Sequence, residues 1–175
     1  MLIQKGLLAI VTLWHLCAFA AGGVYVFHAY GVLFFGGHNP AGVRIIRTAD
    51  WQLWLSGFCI IGLGVMTEGF DHYVANPKLL AKIIVIVTWL ISTQTIRRYA
   101  VIQLKTGNRI PMLLASSLNI TCWTYGAFLG GADSLAYGVV SFNGLMLGFE
   151  VMLAAFLMLT VLLENRYQKN ASPPK

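Results

Sequence analysis

Residues 47–98 hold two apolar runs, 51–66 and 79–96, separated by one short polar segment. Each run approaches the roughly 20 residues that a helix needs to cross a bilayer core at about 1.5 Å per residue. Backbone amides in hydrocarbon must find partners within their own segment. The stretch is therefore predicted to form a hairpin of two membrane-crossing helices. The connecting turn carries Glu68, Asp71 and His72, then Asn76 and Pro77, with Lys82 just inside the next run.

The rest of the chain extends the pattern. Spans are expected at about 7–30, 51–68, 79–98, 111–129 and 135–163. Charged residues make up 10% of the chain, against about 25% in a soluble domain. The expected fold is an all-α integral membrane protein, a five-transmembrane-helix bundle in one domain (1–165) with a flexible polar tail (166–175). The first 20 residues look like a secretory signal, but the apolar character continues to about Phe35, so they are read as an uncleaved first span. Pro111 opens the fourth span, because a first helical turn tolerates proline.

The basic residues set orientation. With five spans, Arg44, Arg47, Arg97, Arg98, Lys105, Arg109, Arg166, Lys169 and Lys175 fall on one side, and Lys5, Lys78 and Lys82 on the other. That bias predicts a cytoplasmic C-terminus and an N-terminus outside. The formal net charge of +6 is thereby read as topology rather than as a nucleic-acid footprint. Trp51, Trp54, Tyr73, Tyr99, Tyr137 and Tyr167 lie near predicted span ends, as interfacial aromatics do.

Polar groups inside apolar spans are costly and mark candidate sites. His15 lies about a third of the way into the first span. It is either a haem or metal ligand or a buried imidazole bonded to a neighbouring hydroxyl or carbonyl. Gly22, seven residues on, shares its helical face and leaves room for something flat. His28 is thirteen residues from His15, about 20 Å along the axis and about 140° around it, so the two do not share a face. His28 and His38 fall near the inner surface. Glu68, Asp71 and His72 have i, i+3, i+4 spacing; on one continuous helix they would share a face and could hold a divalent ion. They read equally as a solvated helix end. Lys82 either snorkels to the surface or offers its charge to a propionate, a quinone oxygen or a carboxylate. Glu150, deep in the fifth span, is expected to face the bundle interior, with Asn143 on its face and Asn119 and Thr121 within reach. It would handle a proton or fix packing. Cys17, Cys59 and Cys122 all lie in apolar runs, so no disulfide is expected. As soft ligands they keep copper(I) open. Gly144 and Gly148 form a small-residue ridge suited to a close helix contact.

One resemblance bears on these residues. His15 followed by Phe19 and Gly22-Gly23, Arg47 opening the second span, Gly62-Leu63-Gly64 near its end, Tyr73, the run 76–82 (NPKLLAK) and Arg97-Arg98 resemble the four-helix membrane domain shared by the copper-resistance protein D family and the HemJ-type protoporphyrinogen oxidases. The likeness spans about residues 8–130, its motifs are short, and the fifth span with Glu150 is an addition. It implies a haem b ligand at His15 and a functional lysine at Lys82.

The leading expectation is a bacterial inner-membrane, multi-pass haem b redox protein exchanging electrons with a quinone or partner subunit. His15 would be the axial ligand, alone or with His72. Lys82 would orient a charged group, and Glu150 would handle a proton. The alternatives are a non-catalytic membrane subunit or assembly factor, held to a partner or a second copy through Gly144 and Gly148, and a copper permease using the cysteines with Glu68, Asp71 and His72.

Overall fold

The computed structural model describes residues 2–35, 40–132 and 139–171, and every regular element among them is helical. His38, Asp133, Tyr137 and Lys175 lie outside the described residues, as do the side chains of Lys5, Arg44, Arg47 and Glu68. Three helical segments, Gly6–His28, Pro77–Lys105 and Phe142–Lys169, are long and apolar enough to cross a membrane. The chain falls into two compact units, 1–76 and 77–175.

The first unit packs α1 (Leu2–Phe35) against α2 (Pro40–Glu68). The stripe Ala18, Gly22 and Val26 on α1 is buried. Small residues at that spacing let two helix backbones approach closely. Helix α2 ends at Gly69, whose φ of 84° suits a residue without a Cβ. A short helix α3 (Phe70–Val74) follows. Its Tyr73 ring lies against Gly64, where a Cβ would come within 2.9 Å of the ring.

The second unit starts with Pro77 at the head of α4 (Pro77–Thr95), where its missing N–H costs nothing. A π-helical turn (Ile96–Ala100) joins α4 to α5 (Val101–Lys105) in one rod. The expected span end near 98 is thus passed by seven residues of helix. Helix α6 (Ile110–Gly131) packs against both α4 and α7 (Phe142–Ala171). The core joins Ala81 and Val85 of α4, Cys122, Tyr125 and Leu129 of α6, and Leu145 and Phe149 of α7.

Helices α2 and α6 coincide with expected spans but are not among the three that qualify by length and composition. Helix α2 carries Arg44, Arg47, Asp50 and Gln52 in its first half. Helix α6 buries Ser116, Ser117, Asn119 and Thr121. A helix surrounded by protein need not be apolar, provided its polar side chains find partners. The fifth helix starts at Phe142, not near 135; residues 139–141 are non-helical and 133–138 are outside the described residues. It continues to Ala171, so 166–171 are helix where a flexible tail was expected.

Candidate functional site

His15 is half-buried on α1, and its Nδ1 lies 2.8 Å from the Ser56 hydroxyl of α2. Ser56 is fully buried and sits 2.7 Å from the Gln52 carbonyl oxygen and 3.2 Å from that of Leu53. A carbonyl oxygen only accepts, so the single hydroxyl proton of Ser56 goes back to the backbone. Its oxygen then accepts from His15 Nδ1–H. Nδ1 then carries a proton, and in a neutral ring the lone pair falls on Nε2. Gly57 lies beside the ring, and a Cβ there would meet His15 Cε1 at 3.6 Å. The pattern is familiar from metal-binding histidines, whose second nitrogen usually donates to a fixed acceptor that orients the ring. It is equally the hydroxyl partner that a buried imidazole was expected to find. The sequence reading did not single out Ser56, although its place one turn after Gln52 in an apolar run was the available signal.

His15 and His72 sit on different elements, α1 and α3. His15 is level with Ser56, whereas the α3 ring next to His72 packs at Gly64, eight residues or about 12 Å further along α2. Asp71 and His72 are exposed on α3. The break at Gly69 separates them from Glu68, so the three do not share one continuous helix face. No cluster of three or more His, Cys, Asp or Glu side chains occurs among the described residues. Cys17 and Cys59 are exposed and Cys122 is buried.

The remaining candidates lie in the second unit. Lys82 is half-buried on α4, and Lys78, read from sequence as a loop cation, is buried at 6% exposure. Both side chains are engaged. Glu150 does not enter the core of the second unit: it is exposed on α7, as is Asn143. Asn119 turns to α4 instead and donates to Ser92 Oγ at 3.0 Å and Thr93 Oγ1 at 2.9 Å. Thr121 bonds its own helix at Ser117 O. The Ser117 hydroxyl reaches Thr160 of α7 at 2.9 Å. At the other end of α6, Arg109 pairs with the nearly buried Glu164 at 3.0 Å, and Gln168 Nε2 donates to the same carboxylate at 2.8 Å. Gly148 is used within the chain, since the Tyr125 hydroxyl lies 3.1 Å from where its Cβ would be.

Comparisons with protein-family models, with curated proteins and with solved structures find no match for the chain.

Proposed function

We propose that the chain is a multi-pass membrane redox protein that binds haem b through His15. One observation supports this reading above others: the His15 Nδ1–Ser56 hydrogen bond at 2.8 Å, backed by the Ser56–Gln52 carbonyl contact at 2.7 Å. It gives an imidazole in an apolar helix a fixed orientation and directs its lone pair to Nε2. A neutral imidazole so held suits an iron with one protein axial ligand. When bound, the haem supplies one-electron chemistry that the side chains lack. The chain's own part is to hold the ring through Ser56 and to pack α1 on α2 along Ala18, Gly22 and Val26.

The same reading takes all five long helices as crossings, with the N-terminus outside, the C-terminus in the cytoplasm and the protein in a bacterial inner membrane. Arg97, Arg98, Lys105, Arg109, Arg166 and Lys169 on one side support that orientation. A quinone or a partner subunit would exchange electrons with the haem. Lys82 and Glu150 belong to the second unit and are not required by this site. Reduced-minus-oxidised absorption spectra of membranes carrying the protein test the proposal. A haem b signal in the wild type that disappears in His15→Ala supports it, and an equal signal in both rejects it.

A second reading, a non-catalytic membrane subunit, is favoured by the polar side chains of the second unit that serve to hold its helices together. Asn119 bonds Ser92 and Thr93, Ser117 bonds Thr160, and Arg109 pairs with Glu164, three separate contacts that each tie one helix of the unit to another. It predicts a haem-free purified protein whose cellular role survives His15→Ala.

A further inference from the structure

The turn between α5 and α6 and the last turns of α7 line a cavity of about 310 Å³. Its walls include Asn108, Arg109 and Leu113 on one side and Val161, Glu164 and Gln168 on the other, all within the second unit. The cavity lies where the apolar run of α7 gives way to the polar stretch 164–169 (ENRYQK), at the end of the membrane-crossing segment Phe142–Lys169. Six residues of helix rise about 9 Å, close to the roughly 5–8 Å of headgroup layer on one side of a bilayer.

Two polar atoms at this cavity are left over. Arg109 Nη1 pairs with Glu164 Oε1 at 3.0 Å, and Gln168 Nε2 donates to the same oxygen at 2.8 Å. The Tyr167 ring lies against the guanidinium, with its centroid 5.8 Å from Cζ. Arg109 Nε is nevertheless buried without a hydrogen-bond partner. Glu164 is buried too, and its second oxygen, Oε2, takes part in neither contact. A buried donor without an acceptor is costly, and a carboxylate oxygen has lone pairs to spare.

The charges select the ligand. Among the described residues, Arg109 and Glu164 are the charged members of the lining, one of each sign. A ligand of single sign is repelled by one of them, whereas a zwitterion is attracted by both. Leu113 lies one turn into α6 from Arg109, and Val161 about one turn before Glu164 on α7, so the wall turns apolar toward the interior of both helices. A polar zwitterion above an apolar wall matches a lipid. We infer that this cavity binds the phosphoethanolamine headgroup of a membrane lipid. A phosphate oxygen accepts from Arg109 Nε–H, the ammonium donates to Glu164 Oε2, and the acyl chains follow Leu113 and Val161. The inference rests on α7 crossing the membrane and not on haem binding.

Native mass spectrometry of the full chain, delipidated in detergent, tests it with three lipids of equal chain length at equal mole ratio. Phosphatidylethanolamine should occupy the chain about fivefold or more above phosphatidylglycerol, which lacks the cation, and above phosphatidylcholine, whose quaternary nitrogen has no N–H to donate. Glycerophosphoethanolamine, which has the headgroup without the chains, should bind about tenfold or more weakly. Val161→Phe, which fills the cavity from an exposed wall, should cut phosphatidylethanolamine occupancy about fivefold. Leu162→Phe, exposed on the same helix but outside the lining, should retain it. Equal occupancy by the three lipids overturns the inference. So does a preference for phosphatidylglycerol, equal binding of the chain-free headgroup, or a Val161→Phe variant that takes up phosphatidylethanolamine like the wild type.

Discussion

A double-mutant cycle between Asn119 and Ser92 tests the packing of the second unit. Asn119 is 2% exposed, and its Nδ2 donates across the helix interface to Ser92 Oγ at 3.0 Å and Thr93 Oγ1 at 2.9 Å. Ser92 spends its own proton on the Trp89 carbonyl at 2.8 Å. Deleting Asn119 therefore leaves spare acceptors on α4, not an orphaned buried donor, and the cost stays moderate. Interhelical hydrogen bonds in membrane proteins average about 0.6 kcal/mol and reach about 1.7. The Asn119–Ser92 coupling should fall in that interval. The single change Asn119→Ala loses two such bonds and leaves a small cavity, for a total of about 1–3 kcal/mol. Unfolding in mixed micelles, followed by tryptophan emission, reads this directly, because Trp89 and Trp123 meet edge-on in this unit at 5.8 Å between centroids. A coupling within about 0.3 kcal/mol of zero would refute the cross-helix bond, since that is the scatter of independent sites.

Two other outcomes are expected. Gly64→Ala places a Cβ 2.9 and 3.1 Å from Tyr73 ring carbons, so the ring must leave α2. The cost is about 1–2 kcal/mol, read as faster hydrogen exchange over residues 70–76; unchanged exchange would show that the ring does not hold α3. Arg109→Gln leaves the nearly buried Glu164 with Gln168 but without its cation. It should destabilise the second unit by about 1–3 kcal/mol and more than Glu164→Gln does, because stranding a charge costs more than removing one. Equal losses in thermal unfolding would contradict that asymmetry.

Much of this architecture is legible in the sequence because apolar length is a direct physical constraint on a chain in lipid. Long helices overlap all five predicted runs, and three of them are long and apolar enough to cross a membrane. Their ends are less legible. Arg97 and Arg98 look like a stop, yet the rod continues to Lys105 because charged side chains at a membrane surface do not break a helix. The direction of a polar residue is harder still. That Glu150 is deep in an apolar helix is plain from sequence. That it points outward is decided by Leu145, Gly148 and Phe149, which fit against Tyr125 and fix the rotation of α7. Asn119 likewise reads as a mid-span amide, but its partners depend on how α6 meets α4. The Glu68, Asp71 and His72 face fails at one residue, Gly69, whose positive φ ends the helix. In the candidate site, His15 was visible by its cost in lipid. Ser56 is a weaker signal, a hydroxyl in an apolar run, since a serine in a span commonly bonds only its own helix.

The central claim, that Ser56 holds His15 as a haem ligand, is tested most directly by titrating haem b into the detergent-purified full chain and following the Soret band. The account predicts saturable binding of one haem per chain, lost in His15→Ala, roughly tenfold or more weaker in Ser56→Ala, and unchanged in His28→Ala and His72→Ala. A spectrum of free haem throughout the titration, or a bound spectrum indifferent to His15→Ala, would contradict it.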